Sequence, residues 1–293
     1  MSLTALLILG RLLHFSSVML MFGISIFVVL LTPIALKSTL HARLNRVLSG
    51  TISVNLLTAI AIFAAQSGLM GSGWPDTINP AILYAVLSTT FGAVWQWQLT
   101  FAIAAGCCLF LRPQCRFNAI VWLSTALLIN LGFVGHVTIN TGLLGALHRL
   151  NHAIHLLSGG YWIGTLIPLL VCFGYLSDPK HRSDAIRAMT RFSAFGHIAV
   201  LLVIATGMIN TAMALGTWPI HWSSPYQQLL SIKVALVMAM VAIALYNRYV
   251  LVPQIKPDAN HILQRFTLCT VLEIITGVVV LALVSVFATQ PPA

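Results

Sequence analysis

Charge is what this sequence has least of. Asp, Glu, Lys and Arg make up 7% of its 293 residues and only five residues are acidic, which leaves too little polar surface to cover a water-soluble domain of this length. Cysteine is sparse as well. Cys107, Cys108, Cys115, Cys172 and Cys269 are odd in number and contain no C-x-x-C, so neither a disulfide framework nor a zinc ribbon is indicated. A P-loop, a dinucleotide fingerprint and an H-E-x-x-H are absent too, and no spacing suggests a Ser/His/Asp set. ATP-driven transport by this chain alone is therefore not expected. No basic stretch precedes the first apolar run, Leu3 to Thr32, and that run is too long for a signal-peptide core, so a retained helix is expected.

What is present is apolar: 59% of residues are hydrophobic and the mean hydropathy is +0.95. A hydrocarbon core of about 30 Å takes about 20 apolar residues per helix, because lipid offers nothing to backbone N–H and C=O groups. The chain is read as an all-α polytopic membrane protein, one transmembrane bundle over residues 1–293 with about eight spans. These begin near Leu3, Val47, Phe91, Asn118, Leu147, Phe192, Tyr226 and Phe266. Ala81 to Thr90 is too short to span and leads into Trp95 and Trp97, so a short interfacial helix is expected before the third span.

The net charge of +10 sits in short loops between apolar runs, which is the positive-inside pattern and calls for no nucleic acid. Twelve of the fifteen basic residues fall on one side: Lys37, Arg43, Arg46, Arg112, Arg116, Lys180, Arg182, Arg187, Arg191, Arg248, Lys256 and Arg265. Both termini are then outside, N-out and C-out.

Chemistry concentrates in His136 to Gly164. In the fifth span His148, His152 and His155 stand at i, i+4 and i+7, on one narrow helical stripe. On this topology His14, His136 and the stripe lie in the outer half, and His197 lies toward the cytoplasmic end of the sixth span. Polar groups at membrane depth face a bundle interior or an aqueous cavity, and imidazole suits copper, zinc, iron or nickel. The alternative, that a histidine satisfies itself on neighbouring carbonyls or on Ser, Thr and Asn side chains, suits lone His197 better than the outer cluster, where several imidazoles in one layer repel once protonated. His41, His181, His221 and His261 read as solvated loop residues. Met19 and Met21 offer softer ligands or simply pack. Glu273, the only acid within a span, reads as a proton or cation site or as a partner of Arg248 or Arg265. Arg11, on the face of His14, reads as an anchor for an anionic group or as a snorkelling side chain.

The runs RLLHFSSVMLMFG, HRLNHAIHLLSGGYWIGTLIPL, RFSAFGHIAVLLVIATGMINT and LEIITGVVVLALVSVFAT, with Gly135–His136, resemble the copper-resistance protein D (CopD) family, and within it a YebZ-like branch. The resemblance implies a bacterial inner-membrane copper homeostasis protein that takes copper from the periplasm toward the cytoplasm, paired with a periplasmic copper-binding protein of the CopC type. Carried over by position, it implies His14, His136, His152 and His155 as intramembrane histidines, with His148 and His197 matching the branch. A transporter is expected rather than an enzyme. The alternatives are a redox protein with a b-type heme between two histidines, quinone-linked, and a copper-binding scaffold that does not transport.

Overall fold

A computed structural model describes residues 2–135, 141–215, 224–255 and 260–287, and every regular element among them is helical. The order is α1 (Leu3–Ile26), α2 (Ile34–Met70), α3 (Pro80–Leu87), α4 (Thr90–Cys107), α5 (Pro113–Leu131), α6 (Gly142–Gly164), α7 (Leu166–Phe173), α8 (Arg182–Leu215), α9 (Pro225–Tyr246) and α10 (Asn260–Phe287). Seven helical stretches among the described residues are long and apolar enough to cross a bilayer. The chain is a multi-pass membrane protein. The expected span outside these seven, the fourth, corresponds to α5, which is less apolar because Gln114, Arg116 and Asn118 occupy its first turns. The expected short helix before the third span is α3.

α1 is the centre of the bundle, packing against α2, α5, α6, α7 and α10. Its closest crossing is with α6, where a Cβ on Gly164 would lie 2.0 Å from the Met19 carbonyl oxygen. A Cβ on Gly23 would lie 2.0 Å from the Gly164 carbonyl carbon. Gly23 and Gly164 thus meet backbone to backbone, while Gly160, one turn earlier, faces the side chains of Leu128 and Phe22.

Prolines account for the irregular ends. Pro33 cannot donate to the Val29 carbonyl, so the end of α1 widens into a π turn over Phe27–Leu31, and Lys37 Nζ takes up Val29 O at 2.6 Å. Pro253 stands at the same distance after a second π turn, Asn247–Leu251, at the end of α9. Pro168 likewise removes the donor for Gly164 O. The fifth span, expected to be one helix, is accordingly two, α6 and α7, joined at Thr165.

Two basic segments expected as loops are helical instead. α2 starts at Ile34 and α8 at Arg182, since nothing after Pro33 or after Arg182 breaks a helix and Lys, Arg, Ala and Leu favour one. At 37 residues α2 is about 55 Å long, well beyond a hydrocarbon core, so its basic first turns extend past the apolar layer. His41 therefore lies on a helix, its ring centroid 4.6 Å from that of Phe117 in an edge-on arrangement, and His261 opens α10, exposed. His181 keeps its loop position, its Nδ1 2.7 Å from Asp178 Oδ2. His221 is outside the described residues. Arg116, buried at the start of α5, donates to the carbonyls of Cys108, Leu109 and Leu111 and to Asn45 and Ser49. One guanidinium thereby closes the C-terminal end of α4 and ties it to α2.

Candidate metal centre at the α6–α8 interface

The expected site residues separate into different environments. His14, fully buried on α1, is enclosed by α2, α4 and α5. Its Nδ1 lies 3.0 Å from Thr58 Oγ1, and its Nε2 lies 2.9 Å from Gln98 Nε2. Asn130 Nδ2 donates to Val94 O at 3.1 Å and to Gln98 Oε1 at 2.7 Å, which turns the Gln98 amide so that its nitrogen donates to His14. Thr58 gives its own proton to Val54 O and so accepts from His14. The imidazole is neutral, protonated at Nδ1 and hydrogen-bonded at both nitrogens. The Asn55 amide, with Nδ2 3.4 Å from His14 Nδ1, presents Oδ1 to that N–H when turned over.

The stripe on α6 meets α8. His155 Nδ1 is 2.9 Å from Thr206 Oγ1, and Thr206 passes its proton to Leu202 O, so His155 carries its proton on Nδ1. A metal-binding histidine is held in this way: the far nitrogen is fixed by an outer hydrogen bond and Nε2 presents a lone pair. Among the described residues Nε2 of His155 takes part in no hydrogen bond. Gly207 keeps room for the ring, since a Cβ there would lie 3.3 Å from His155 Cε1.

His152 stacks beside it, centroids 6.3 Å apart and planes 11° from parallel, yet in the opposite tautomer. Asn151 Nδ2 donates to Thr206 O and to Asn210 Oδ1, each at 2.9 Å. That orients Asn210 so that its Nδ2 faces His152 Nδ1 at 3.3 Å. The neutral ring then bears its proton on Nε2, and it becomes an Nε2 ligand only when Asn210 turns over. His148 is buried on the same face, one turn back.

Lys233 of α9 is near enough for its charge to act on His155. It stands 5.7 Å from the Phe287 ring centroid and has no acidic partner among the described residues.

The other candidates lie elsewhere. His197 bridges α8 to the second π turn, with Nδ1 2.7 Å from Ser193 O and Nε2 3.1 Å from Tyr249 Oη. His136 is outside the described residues. Met19 packs on Gly160 at the α1–α6 crossing, and Met21 is wholly buried. Arg11 Nη1 is buried without a hydrogen bond among the described residues. Glu273 accepts from Trp162 Nε1 at 3.3 Å and Asn247 Nδ2 at 3.1 Å, and neither Arg248 nor Arg265 pairs with it. Thr206, Asn210, Asn151, Gln98 and Asn130 were not singled out from sequence. Their signal was there: amides and hydroxyls inside apolar spans.

No group of three or more His, Cys, Asp or Glu side chains converges as a ready metal cage among the described residues. What is assembled is a pair of imidazoles with an oriented outer shell. Comparison with known proteins places the chain. It is 39% identical to the inner membrane protein YebZ of Escherichia coli (strain K12) over 282 residues, covering 96% of this chain and 97% of the relative. The family description "Copper resistance protein D-like, N-terminal domain" matches residues 1–146, and "Copper resistance protein D" matches residues 186–287.

The chain belongs to the copper resistance protein D family.

A second member, copper resistance protein D of Pseudomonas syringae pv. tomato, is 23% identical over 292 residues, 95% of this chain and 94% of that one. Copper transport protein CutJ of Bacillus subtilis (strain 168) is 22% identical over 260 residues, 85% of this chain but 46% of the relative. The stripe of histidines lies between the two family matches, so its geometry carries information that the matched segments do not.

Proposed function

We propose that this copper resistance D family member is a copper-handling protein of the bacterial inner membrane. In this reading it takes the ion from the periplasmic side toward the cytoplasm through the imidazole face of α6. The observation that carries the reading is His155, whose Nδ1 is fixed by Thr206 and whose Nε2 lone pair is unengaged among the described residues, with His152 parallel beside it. His155 with His152, once Asn210 has turned over and moved the His152 proton to Nδ1, presents two neutral imidazoles to a cuprous ion, which tolerates low coordination and favours nitrogen or sulfur over oxygen. The names borne by its relatives in Pseudomonas and Bacillus point the same way. In this reading the bundle of residues 1–293 is one unit, N-out and C-out, surrounded by lipid and loaded by a periplasmic copper-binding protein of the CopC type.

Copper is preferred to a b-type heme because axial ligation needs an available imidazole nitrogen on each of two facing helices. Of His14, His155 and His197, only His155 offers one without breaking a hydrogen bond. The test is copper bound to purified protein together with copper accumulated by cells. His155→Ala should lower affinity at least about tenfold, or roughly 1.4 kcal/mol, and His152→Ala should weaken it less. Unchanged binding and accumulation in both variants would overturn the reading. A Soret band that shifts on reduction would replace it with heme.

A further inference from the structure

Seven residues beyond His155 on the same face of α6 stands Trp162, about 10 Å along the helix, and it leads to a second buried polar group. Glu273 of α10 is 3% exposed, and Asn247, the first residue of the π turn after α9, is 5% exposed. α10 packs against α6 here, Gly277 facing the Ile163 side chain, and across this interface Trp162 Nε1 reaches one carboxyl oxygen while Asn247 Nδ2 reaches the other. Both donors are neutral. Asn247 Oδ1, beside them, is buried with no donor of its own.

Cys269 lies one turn from the carboxyl on α10. Arg265 on α10, Lys233 and Arg248 on α9, Cys172 on α7, His155 on α6 and Arg11 on α1 make no ion pair or hydrogen bond with it among the described residues. An ionised carboxylate in such a place lacks the compensation a buried charge requires. A protonated one fits. Its hydroxyl donates to Oδ1 of Asn247 when that amide is turned over, while Trp162 still donates to the second oxygen.

We propose that Glu273, with Trp162 and Asn247, forms a proton-binding site that is loaded at rest and releases its proton to bulk water during the working cycle. The bond broken is the carboxyl O–H, and the carboxylate left behind is held by the two N–H donors until water returns a proton. The widened π turn at Asn247 is a common setting for functional residues. Its place along α6 below the imidazoles makes it a route by which proton occupancy and cargo occupancy bias one another.

Glu273 is the only glutamate in the chain, so protein grown with glutamate carrying heavy carbon in its side-chain carboxyl reports on this one group by infrared difference spectroscopy. The expected result at neutral pH is an isotope-sensitive carbonyl stretch of a protonated carboxyl that disappears at alkaline pH. Carboxylate stretches alone at neutral pH would overturn the proposal, and their shift on adding sodium would make the site one for a monovalent cation. Coupling to copper rests on the function proposed above. It is tested in Glu273→Gln, which should retain copper binding but lose the pH dependence of accumulation, with Asn247→Leu as a second variant. An unaltered pH profile in both would overturn the coupling. A protonated band in a protein that binds no copper would sink the copper reading alone.

Discussion

His14 and His155 are both imidazoles inside a membrane protein, each sharing a hydrogen bond with a threonine, and they differ at the other nitrogen. In His14, Gln98 donates to Nε2 and Asn130 holds Gln98 in place. In His155, Nδ1 is fixed by Thr206 and Nε2 is left for a ligand. The first ring ties α1 to α2 and α4, with Asn130 of α5 acting through Gln98, and has no lone pair to spare. The second is oriented and open. Histidine content at membrane depth therefore does not measure ligand capacity; the outer hydrogen-bond partners do.

The largest effect should come from breaking the closed side. His14→Leu strands Gln98, Thr58 and Asn55 in a buried layer and should destabilise by about 2–4 kcal/mol, read as a lowered unfolding temperature in detergent, with copper binding of the folded fraction preserved. If the variant lost copper binding but not stability, the two rings would have exchanged roles. On the open side, Thr206→Val frees the His155 ring to rotate and to change tautomer, and should weaken metal affinity roughly 10–100-fold with little change in stability. Equal affinity would mean that the hydroxyl does not orient the ligand.

A smaller effect tests the charge beside the open ring. Lys233→Met removes a cation close to where a metal cation would bind and should tighten copper about threefold to tenfold. Weaker binding would show that the ammonium instead holds an anionic co-ligand. The smallest lies away from both rings. The Asp178 carboxyl, half-exposed in the loop before α8, is held below its ordinary value first by the hydrogen bond from His181 and then by the Lys180 amide. The stability it contributes is present above the ordinary carboxylate range, about pH 4, and is lost as pH falls through the lower folded value. Asp178→Asn should flatten that acid limb of the unfolding temperature and leave copper binding unchanged.

Much of the fold was legible along the chain. Apolar run length placed α1, α4 and α9 within a few residues, and the Trp-rich approach to α4 marked α3; α10 was expected from Phe266 but starts at Asn260. The loops Lys37–Arg46 and Asp178–Arg191 were misread because charge was taken as the end of a helix, whereas charge marks only the end of the apolar layer. Pro168 was in plain view inside the fifth span, but whether a proline kinks or divides a helix depends on what satisfies the released carbonyl. The histidine stripe was legible from spacing. That His14 sits in a network of its own was not, because its partners lie 41, 44 and 84 residues away in sequence.

Sequence alone determined that this chain lives in a membrane, since lipid imposes one rule, satisfied backbone and apolar side chains, that composition and run length report directly. It also determined which helix face carries the imidazoles, because the helical period is local. Tertiary structure decided which nitrogen each ring offers. A tautomer is set by the partner across the helix interface, and Thr206, Asn210 and Gln98 reach those rings only once α1, α4, α6 and α8 have packed.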